Sequence, residues 1–193
     1  MGKALFLEKQ STAGMLGTLG YLLAMGAALL PQFRYAGFII TGTAWILLGI
    51  SERQKVLVLA GSLLTADGLV SYISRCFLLG TSLLVCFIVL GVVAKGFEMY
   101  AHFKASTIYG ISWFWWSGVA RILVLILLAA FSAILAFIIV QAQAPSIDEA
   151  LRKTDPTLYH TAATLLVAGG IAELIASLLS VVAFSSLGFS KKK

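Results

Sequence analysis

Residues 166–179 read LVAGGIAELIASLL, and this stretch decides the fold class. Thirteen of its fourteen residues are apolar or small, and the remaining one is Glu173. Such a run is typical of a helix in the hydrocarbon core of a membrane, which about 20 apolar residues cross. The carboxylate near its middle is therefore the first residue that needs a physical explanation.

The composition of the whole chain is that of a membrane protein. Its 193 residues are 60% hydrophobic and only 11% charged, whereas about 25% of the residues of soluble domains are charged. This polar surface is too small to cover a globule in water. We expect a multi-pass integral protein of the cell membrane, with the lipid bilayer as its first partner.

The net charge of +6 does not indicate nucleic-acid binding. Apart from Arg121 and the tail at residues 191–193, the basic residues stand in ones and twos outside the apolar runs. Scattered flanking cations of this kind set the orientation of membrane helices. A nucleic-acid site would cluster them on one face of a soluble element.

Six apolar segments are predicted to form one all-α transmembrane bundle that occupies the whole chain, residues 1–193. The spans cover residues 12–30, 35–50, 56–73, 76–94, 112–141 and 156–187. The connections between the first four are a few residues long, so neighbouring helices run antiparallel. With both termini in the cytoplasm, nine flanking cations fall on that side and four on the other, as the positive-inside rule requires.

The segment between the last two spans carries helix-start signals. Ser146 and Glu149 form a capping-box pattern, which predicts a short external helix over residues 147–153. A plain polar loop is the alternative. Asp155 followed by Pro156 is typical of an N-cap with proline at the first helical position.

Aromatic residues precede the fifth span on the cytoplasmic side. Trp113, Trp115 and Trp116 are predicted to form an interfacial aromatic belt, with an aromatic ligand cage as the alternative. Residues 97–109, just upstream, are expected to lie flat along the membrane as a short amphipathic piece.

Small residues recur where helices are expected to pack closely. The predicted packing positions are Gly14, Gly17, Gly20, Gly169 and Gly170. In lipid, small residues let helix backbones approach one another. These faces meet either within the chain or between two copies of it, and the sequence leaves both readings open.

Three charged residues stand inside the predicted spans, where each costs roughly 2.5–3.5 kcal/mol on insertion scales. They are Asp67, Arg121 and Glu173. Counting from the cytoplasmic ends at about 1.5 Å per residue, they lie about 18, 12 and 21 Å deep. If the last two spans fold as a hairpin, Arg121 is level with about Ala176 and within reach of Glu173. We therefore predict an intramembrane charge cluster in which these two pair and Asp67 is a third member.

The cluster has three possible roles. It pairs helices structurally, it carries a proton or takes part in transport, or it is the site of a partner subunit. In the structural case, Arg121 extends to the cytoplasmic interface and the two acids are neutral and hydrogen-bonded. In the transport case, one cation cannot neutralise two carboxylates, and one acid holds a proton through a cycle.

Signatures of catalysis are missing from the sequence. It contains no HExxH, GxSxG, phosphate-loop or CxxC motif. His102 and His160 fall on opposite sides of the membrane, and Cys76 and Cys86 are expected to be buried apolar residues. We predict no enzyme activity, no catalytic residue, no metal and no cofactor.

Several apolar blocks share a sequence pattern: AGMLGTLGYLLAMGAALL, AGFIITGTAWILLGISERQ and TLLVAGGIAELIASLLSVVAFSSL. Each has a small residue near glycine, an aliphatic run and a short polar step. In this the chain resembles small multi-pass archaeal membrane proteins of unknown function, whose blocks read AGxLLxxG…ILxLIG. The resemblance implies a compact helical bundle and no known activity.

Two functions follow as expectations. The first is an accessory or structural subunit of a membrane complex, with other membrane subunits or further copies of the chain as partners. The alternative is a small ion- or proton-coupled transporter or channel that uses Asp67, Arg121 and Glu173. Transporters are expected to contain broken helices, and the three prolines all lie at span ends, which counts against the alternative.

Overall fold

The computed structural model describes residues 2–26, 30, 32–76, 81–142 and 154–189, and these ranges form six α-helices. The helices are α1 Gly2–Gly26, α2 Gln32–Ser51, α3 Lys55–Cys76, α4 Thr81–Tyr109, α5 Ser112–Ala142 and α6 Pro156–Phe189. The predicted all-α helical bundle is confirmed.

The helices close into a ring. Each of them packs mainly on its neighbours in the sequence, and α6 packs on both α5 and α1. Short connections produce this order, because they force consecutive helices to lie side by side. Side chains that point inward from all six helices therefore meet in a shared interior.

Glycines bring the backbones of α1, α2 and α3 into contact. A Cβ added at Gly37 would lie 2.6 Å from the amide nitrogen of Ala24 and 2.7 Å from the carbonyl oxygen of Gly20. One added at Gly42 would lie 2.5 Å from the carbonyl oxygen of Gly61. No side chain fits at these positions, so the close packing depends on the absence of a Cβ.

The predicted packing glycines differ in their surroundings. Gly14 is buried, a Cβ at Gly17 would enter the Phe184 ring, and one at Gly169 would lie 3.8 Å from Leu127 Cβ. Gly170 is exposed, and within the described ranges no heavy atom lies within 4 Å of its added Cβ. Close packing is therefore not seen at Gly170, because this residue borders the cavity described below.

Four helices are long and apolar enough to cross a membrane, as counted over the described residues. They are Gln32–Ser51, Lys55–Ile73, Ser112–Ile138 and Pro156–Leu187. Helices of this length and composition indicate a membrane protein. The other two helices, α1 and α4, each carry a charged half, with Glu8 and Lys9 in α1 and with Lys95, Glu98 and Lys104 in α4.

The course of α4 corrects one prediction. The sequence suggested a span that ends at Ala94 and a surface-lying piece over residues 97–109, but α4 runs without a break from Thr81 to Tyr109. Its buried residues in this region are Ala94, Lys95, Glu98, Ala101, His102 and Ala105. This spacing is one stripe of a helix, so the polar stretch faces the interior of the ring. The helix ends at Tyr109, and the next residue, Gly110, has a φ of 66° and donates its N–H to the Ser106 carbonyl at 2.9 Å.

The start of α6 follows the prediction. The helix begins at Pro156, and the Thr157 amide donates to Asp155 Oδ1 at 2.6 Å, which makes Asp155 the N-cap. This hydrogen bond lowers the pKa of the Asp155 carboxyl from its usual value. The capping box and the external helix at residues 146–153 lie outside the described residues, as do the side chains of Cys76 and Cys86.

Aromatic side chains fill part of the interior that the six helices enclose. Trp45 from α2 and Phe114 from α5 both pack edge-on against Phe184 from α6, with ring centroids 5.0 and 5.2 Å apart. On the outer side of α5, Trp113, Trp115 and Trp116 are each about half exposed. The aromatic belt at these three positions stays a prediction.

Candidate functional site

Glu98 of α4 is buried between helices, with its side chain 1% exposed. Its Oε1 accepts hydrogen bonds from the Tyr21 hydroxyl at 2.7 Å and from Arg121 Nη2 at 2.9 Å. Its Oε2 accepts from Lys95 Nζ at 2.9 Å. Three donors from α1, α5 and α4 thus converge on one carboxylate, and charge-assisted bonds of this length are the strong ones.

Arg121 connects three other helices to α5. Besides its bond to Glu98, Nη2 donates to Ser180 Oγ on α6 at 2.9 Å, and the guanidinium lies 5.0 Å from the centre of the Tyr21 ring. The side chain is 1% exposed, so it does not extend to the interface as the structural alternative supposed. Its Nη1 lies 3.9 Å from Glu173 Oε1.

Lys95 joins the two buried carboxylates. Its Nζ donates to Glu98 Oε2 at 2.9 Å and to Glu173 Oε1 at 2.7 Å. The same ammonium lies 4.6 Å from the centre of the Phe38 ring on α2. We call Lys95, Glu98, Arg121 and Glu173 the ion network. It contains two formal positive and two formal negative charges, so it balances as a unit.

Glu173 differs from Glu98 in exposure and in hydrogen bonding. Its side chain is 26% exposed, and its Oε1 accepts from Lys95 Nζ. Its Oε2 is buried and makes no hydrogen bond within the described part of the chain. One carboxylate oxygen of the ion network is therefore free to hold a proton or to accept a bond from a ligand.

The three predicted cluster members are only partly brought together. Arg121 and Glu173 are neighbours. The α5–α6 register lies close to the predicted one, because Ser117 Oγ and Ser180 Oγ, each one turn from the predicted Arg121–Ala176 level, are 2.7 Å apart. Asp67 on α3 is 7% exposed, and among the described residues no lysine or arginine nitrogen lies within 4.0 Å of it. Lys95 and Glu98 occupy the place expected for it in the ion network.

His102 supports the ion network from one turn further along α4. Its Nδ1 lies 2.8 Å from the Glu98 carbonyl, which requires the proton on Nδ1, and its Nε2 lies 3.0 Å from Ser180 Oγ. Ser180 is twenty residues from His160 on α6, a separation of about 30 Å along the helix. The two histidines therefore cannot share a metal. The described residues contain no group of three or more metal-ligating side chains.

Sequence reasoning missed Lys95, Glu98 and His102. They stand in a polar-aromatic stretch, KGFEMYAHFKASTIYG, which looks like a membrane-surface segment. The available signal was their spacing. Together with Ala94, Ala101 and Ala105 they recur at helical intervals, a pattern that predicts one buried stripe.

A cavity of about 760 Å³ adjoins the ion network. This volume is within the range of about 300–1,000 Å³ that is usual for small-molecule sites. All six helices contribute to the lining, and α5 and α6 supply most of the apolar wall. Its charged lining residues are Arg34, Lys95 and Glu173.

The two cations of the cavity flank one aromatic ring. Arg34 Cζ lies 5.4 Å and Lys95 Nζ 4.6 Å from the centre of the Phe38 ring. Arg34 is exposed, and it makes no ion pair within 4.0 Å with any carboxylate that the structure describes. The cavity therefore holds one cation without an ion-pair partner within 4.0 Å among the described residues and a second one that is shared between two carboxylates.

Comparison with known proteins finds no match: no family model, no curated protein and no solved structure is similar to this chain.

Proposed function

We propose that this protein is a small proton-coupled membrane transporter whose substrate enters the cavity and meets the Lys95–Glu173 pair. The observation that carries the proposal is the continuity of the cavity with the buried ion network. Four charges in the interior of a membrane bundle are costly to keep, and ionisable groups in such a place are as a rule functional.

The proposed topology has six spans with both termini in the cytoplasm. The closed ring supports six spans, because α1 and α4 pack side by side with the four long apolar helices. The flanking cations supply the direction. In this threading the cavity, which reaches Met25 at the end of α1 and Arg34 at the start of α2, opens to the outer side.

The ion network supports a proton-carrying role for Glu173. When Glu173 takes up a proton on its unbound Oε2, Lys95 keeps Glu98 as a partner at 2.9 Å. No buried cation is then left unpaired, which would otherwise be strongly destabilising. The protein can thus pass between two charge states without losing the pairing that holds α4.

The test is proton uptake by proteoliposomes that contain the purified full chain and an internal pH-sensitive dye. A panel of organic anions, amines and sugars is added outside, with protein-free liposomes as the blank. At least one compound is expected to drive proton uptake, and Glu173→Gln should abolish it. Glu8→Gln, which changes an exposed carboxylate of α1, is the matched control. Uptake that equals the blank for every compound would refute the proposal.

The second candidate is an accessory or structural subunit of a membrane complex, bound to other membrane subunits or to copies of itself. It is supported by the short connections, such as residues 110–111 between α4 and α5, which leave little chain outside the helices. Purification in mild detergent tests it. A stoichiometric membrane partner would favour the accessory role over transport by the chain alone.

A further inference from the structure

We propose that the substrate is a single-chain amphiphilic anion, a carboxylate or sulfonate on an apolar chain. Its headgroup binds between Arg34 and Lys95, and its chain lies along the wall formed by α5 and α6. This inference rests on the proposed transport function and names the substrate class of the same cavity.

The headgroup position follows from the two cations. Because both flank the Phe38 ring, Arg34 Cζ and Lys95 Nζ are no more than about 10 Å apart. An anionic group between them gains a charge-assisted contact from each. An alkylammonium ion would instead face two like charges, and a neutral alcohol would leave both cations without a new partner.

The charge count ties the anion to a proton. Five charged groups from four helices face Glu173 or the cavity. They are Arg34 of α2, Asp67 of α3, Lys95 and Glu98 of α4 and Arg121 of α5. The Tyr21 hydroxyl of α1 faces Glu98. With Glu173 itself, the formal charges of these six groups sum to zero. One entering anion would leave an uncompensated negative charge in a poorly solvated interior.

A proton on Glu173 removes that charge. The step forms an O–H bond at Oε2 from a proton of the outer solution, and the anion then takes the place of the Glu173 carboxylate beside Lys95. No other bond is made or broken. Binding of one anion is therefore coupled to the uptake of one proton, and the six groups together with the bound anion are again neutral.

The apolar chain position follows from the wall opposite the cations. Leu127, Leu128 and Phe131 of α5 and Leu165 and Leu166 of α6 line it. Gly170 borders the same cavity and has open space where a side chain would be. The volume is that of a site for one drug-sized ligand, so we commit to a single chain. A two-chain anionic phospholipid is an outcome that the test must separate.

The binding test uses the full chain in nanodiscs of phosphatidylcholine and calorimetric titration with decanesulfonate, an anion that stays charged and so carries no proton across a bilayer by itself. Decanol and methanesulfonate are expected to bind more weakly by at least about tenfold, since each lacks one of the two recognised parts. Equal affinity for decanol or methanesulfonate overturns the inference.

Two variants locate the ligand without touching the ion network. Gly170→Leu fills the open space beside the wall and favours the helix, and it should weaken decanesulfonate binding by about tenfold or more at an unchanged unfolding temperature. Arg34→Gln should weaken it as well, whereas Lys55→Gln, an exposed cation outside the cavity lining, should not. Unchanged binding by Gly170→Leu or by Arg34→Gln overturns the inference.

Two further measurements test the coupling of binding to proton uptake and the competing assignment of a two-chain lipid to the cavity. Titrations in buffers of different ionisation enthalpy should give one proton taken up per decanesulfonate, and none in Glu173→Gln. Native mass spectrometry from nanodiscs doped with phosphatidylglycerol should show that decanesulfonate binds without retained lipid. Retention of phosphatidylglycerol against excess decanesulfonate overturns the single-chain assignment.

These experiments fail separately from the transport proposal. If another compound drives proton uptake while decanesulfonate does not bind, the substrate class is wrong and transport stands. If decanesulfonate binds as described but no compound drives proton uptake, the proposed ligand class is right and the proposed transport function is wrong.

Discussion

At the scale of single residues, the two glutamates of the ion network have different environments. Glu98 accepts hydrogen bonds from three side chains and is shielded from solvent. Glu173 accepts from Lys95 and borders the cavity, and its Oε2 has no hydrogen-bond partner in the described part of the chain. These environments are the basis of the proposal that Glu98 holds the helices together and Glu173 exchanges protons.

Replacing Glu98 by Gln is expected to destabilise the protein by about 3–5 kcal/mol, since it removes one partner of a buried ion pair and leaves Arg121 with a weaker acceptor. The unfolding midpoint in detergent measures this. Glu8→Gln, which removes an exposed carboxylate, should leave the midpoint unchanged. If both variants unfold alike, Glu98 is not the residue that holds the ring.

Replacing Tyr21 by Phe tests the hydroxyl that joins α1, α2 and α4. It donates to Glu98 and accepts from Trp45 Nε1 at 3.2 Å. A hydrogen bond to a charged group is worth about 1.5–3 kcal/mol, which is the expected loss of stability. The fluorescence of Trp45 should shift as its indole N–H loses its acceptor. A variant that matches the wild type in both readouts would contradict the contact.

Whether each of these buried charges could be predicted from the sequence depended on the residues beside it in the chain. Arg121 and Glu173 stand out because each is a lone charge in an apolar run. Lys95 and Glu98 stand among other polar residues, so only their helical spacing marks them as buried. Asp67 is a lone charge too, but depth alone does not specify which helix it faces.

At the scale of helices, antiparallel folding made the register of the α5–α6 hairpin predictable by counting residues from its two ends. The continuity of α4 was not predictable in that way. Its polar half is stable as a helix in the interior because partners from other helices surround it, and these partners belong to distant parts of the sequence.

Glycine contacts between helices give a matched pair of variants. Gly37→Ala is expected to cost about 1–3 kcal/mol, because its Cβ would lie 2.6 Å from the backbone of α1. Gly96→Ala, on α4, meets nothing within 4 Å among the described residues, and it should be neutral or stabilising by up to about 1 kcal/mol. Thermal unfolding compares them, and equal midpoints would contradict the close contact of α1 and α2.

The N-cap of α6 gives a pH dependence at an exposed position. The pKa of Asp155 is lowered because the Thr157 amide donates to its carboxylate. A lowered pKa contributes stability above the usual aspartate value, and this is lost as the pH falls through the folded value. Hydrogen exchange at residues 157–160 should therefore quicken, relative to the rest of α6, at acid pH. Asp155→Ala should show that faster exchange at neutral pH, and an unchanged pattern would contradict the cap.

At the scale of the whole molecule, composition was sufficient to predict a helical membrane bundle, but the closed ring was not foreseen. Short connections make consecutive helices neighbours, yet only the contact of α1 with α6 closes the ring and creates an interior. That contact depends on Gly17 receiving the Phe184 ring, a match between the two ends of the chain that no local pattern expresses.

The central claim is that Glu173 takes up a proton when the cavity receives an anion, and infrared difference spectroscopy at constant pH tests it most directly. Adding decanesulfonate to the reconstituted wild-type protein should produce the carbonyl band of a protonated carboxyl group. The band should disappear in Glu173→Gln and persist in Glu8→Gln, which changes an exposed carboxylate outside the cavity. A band that survives in Glu173→Gln, or none in a wild-type protein that binds the anion, would contradict the account.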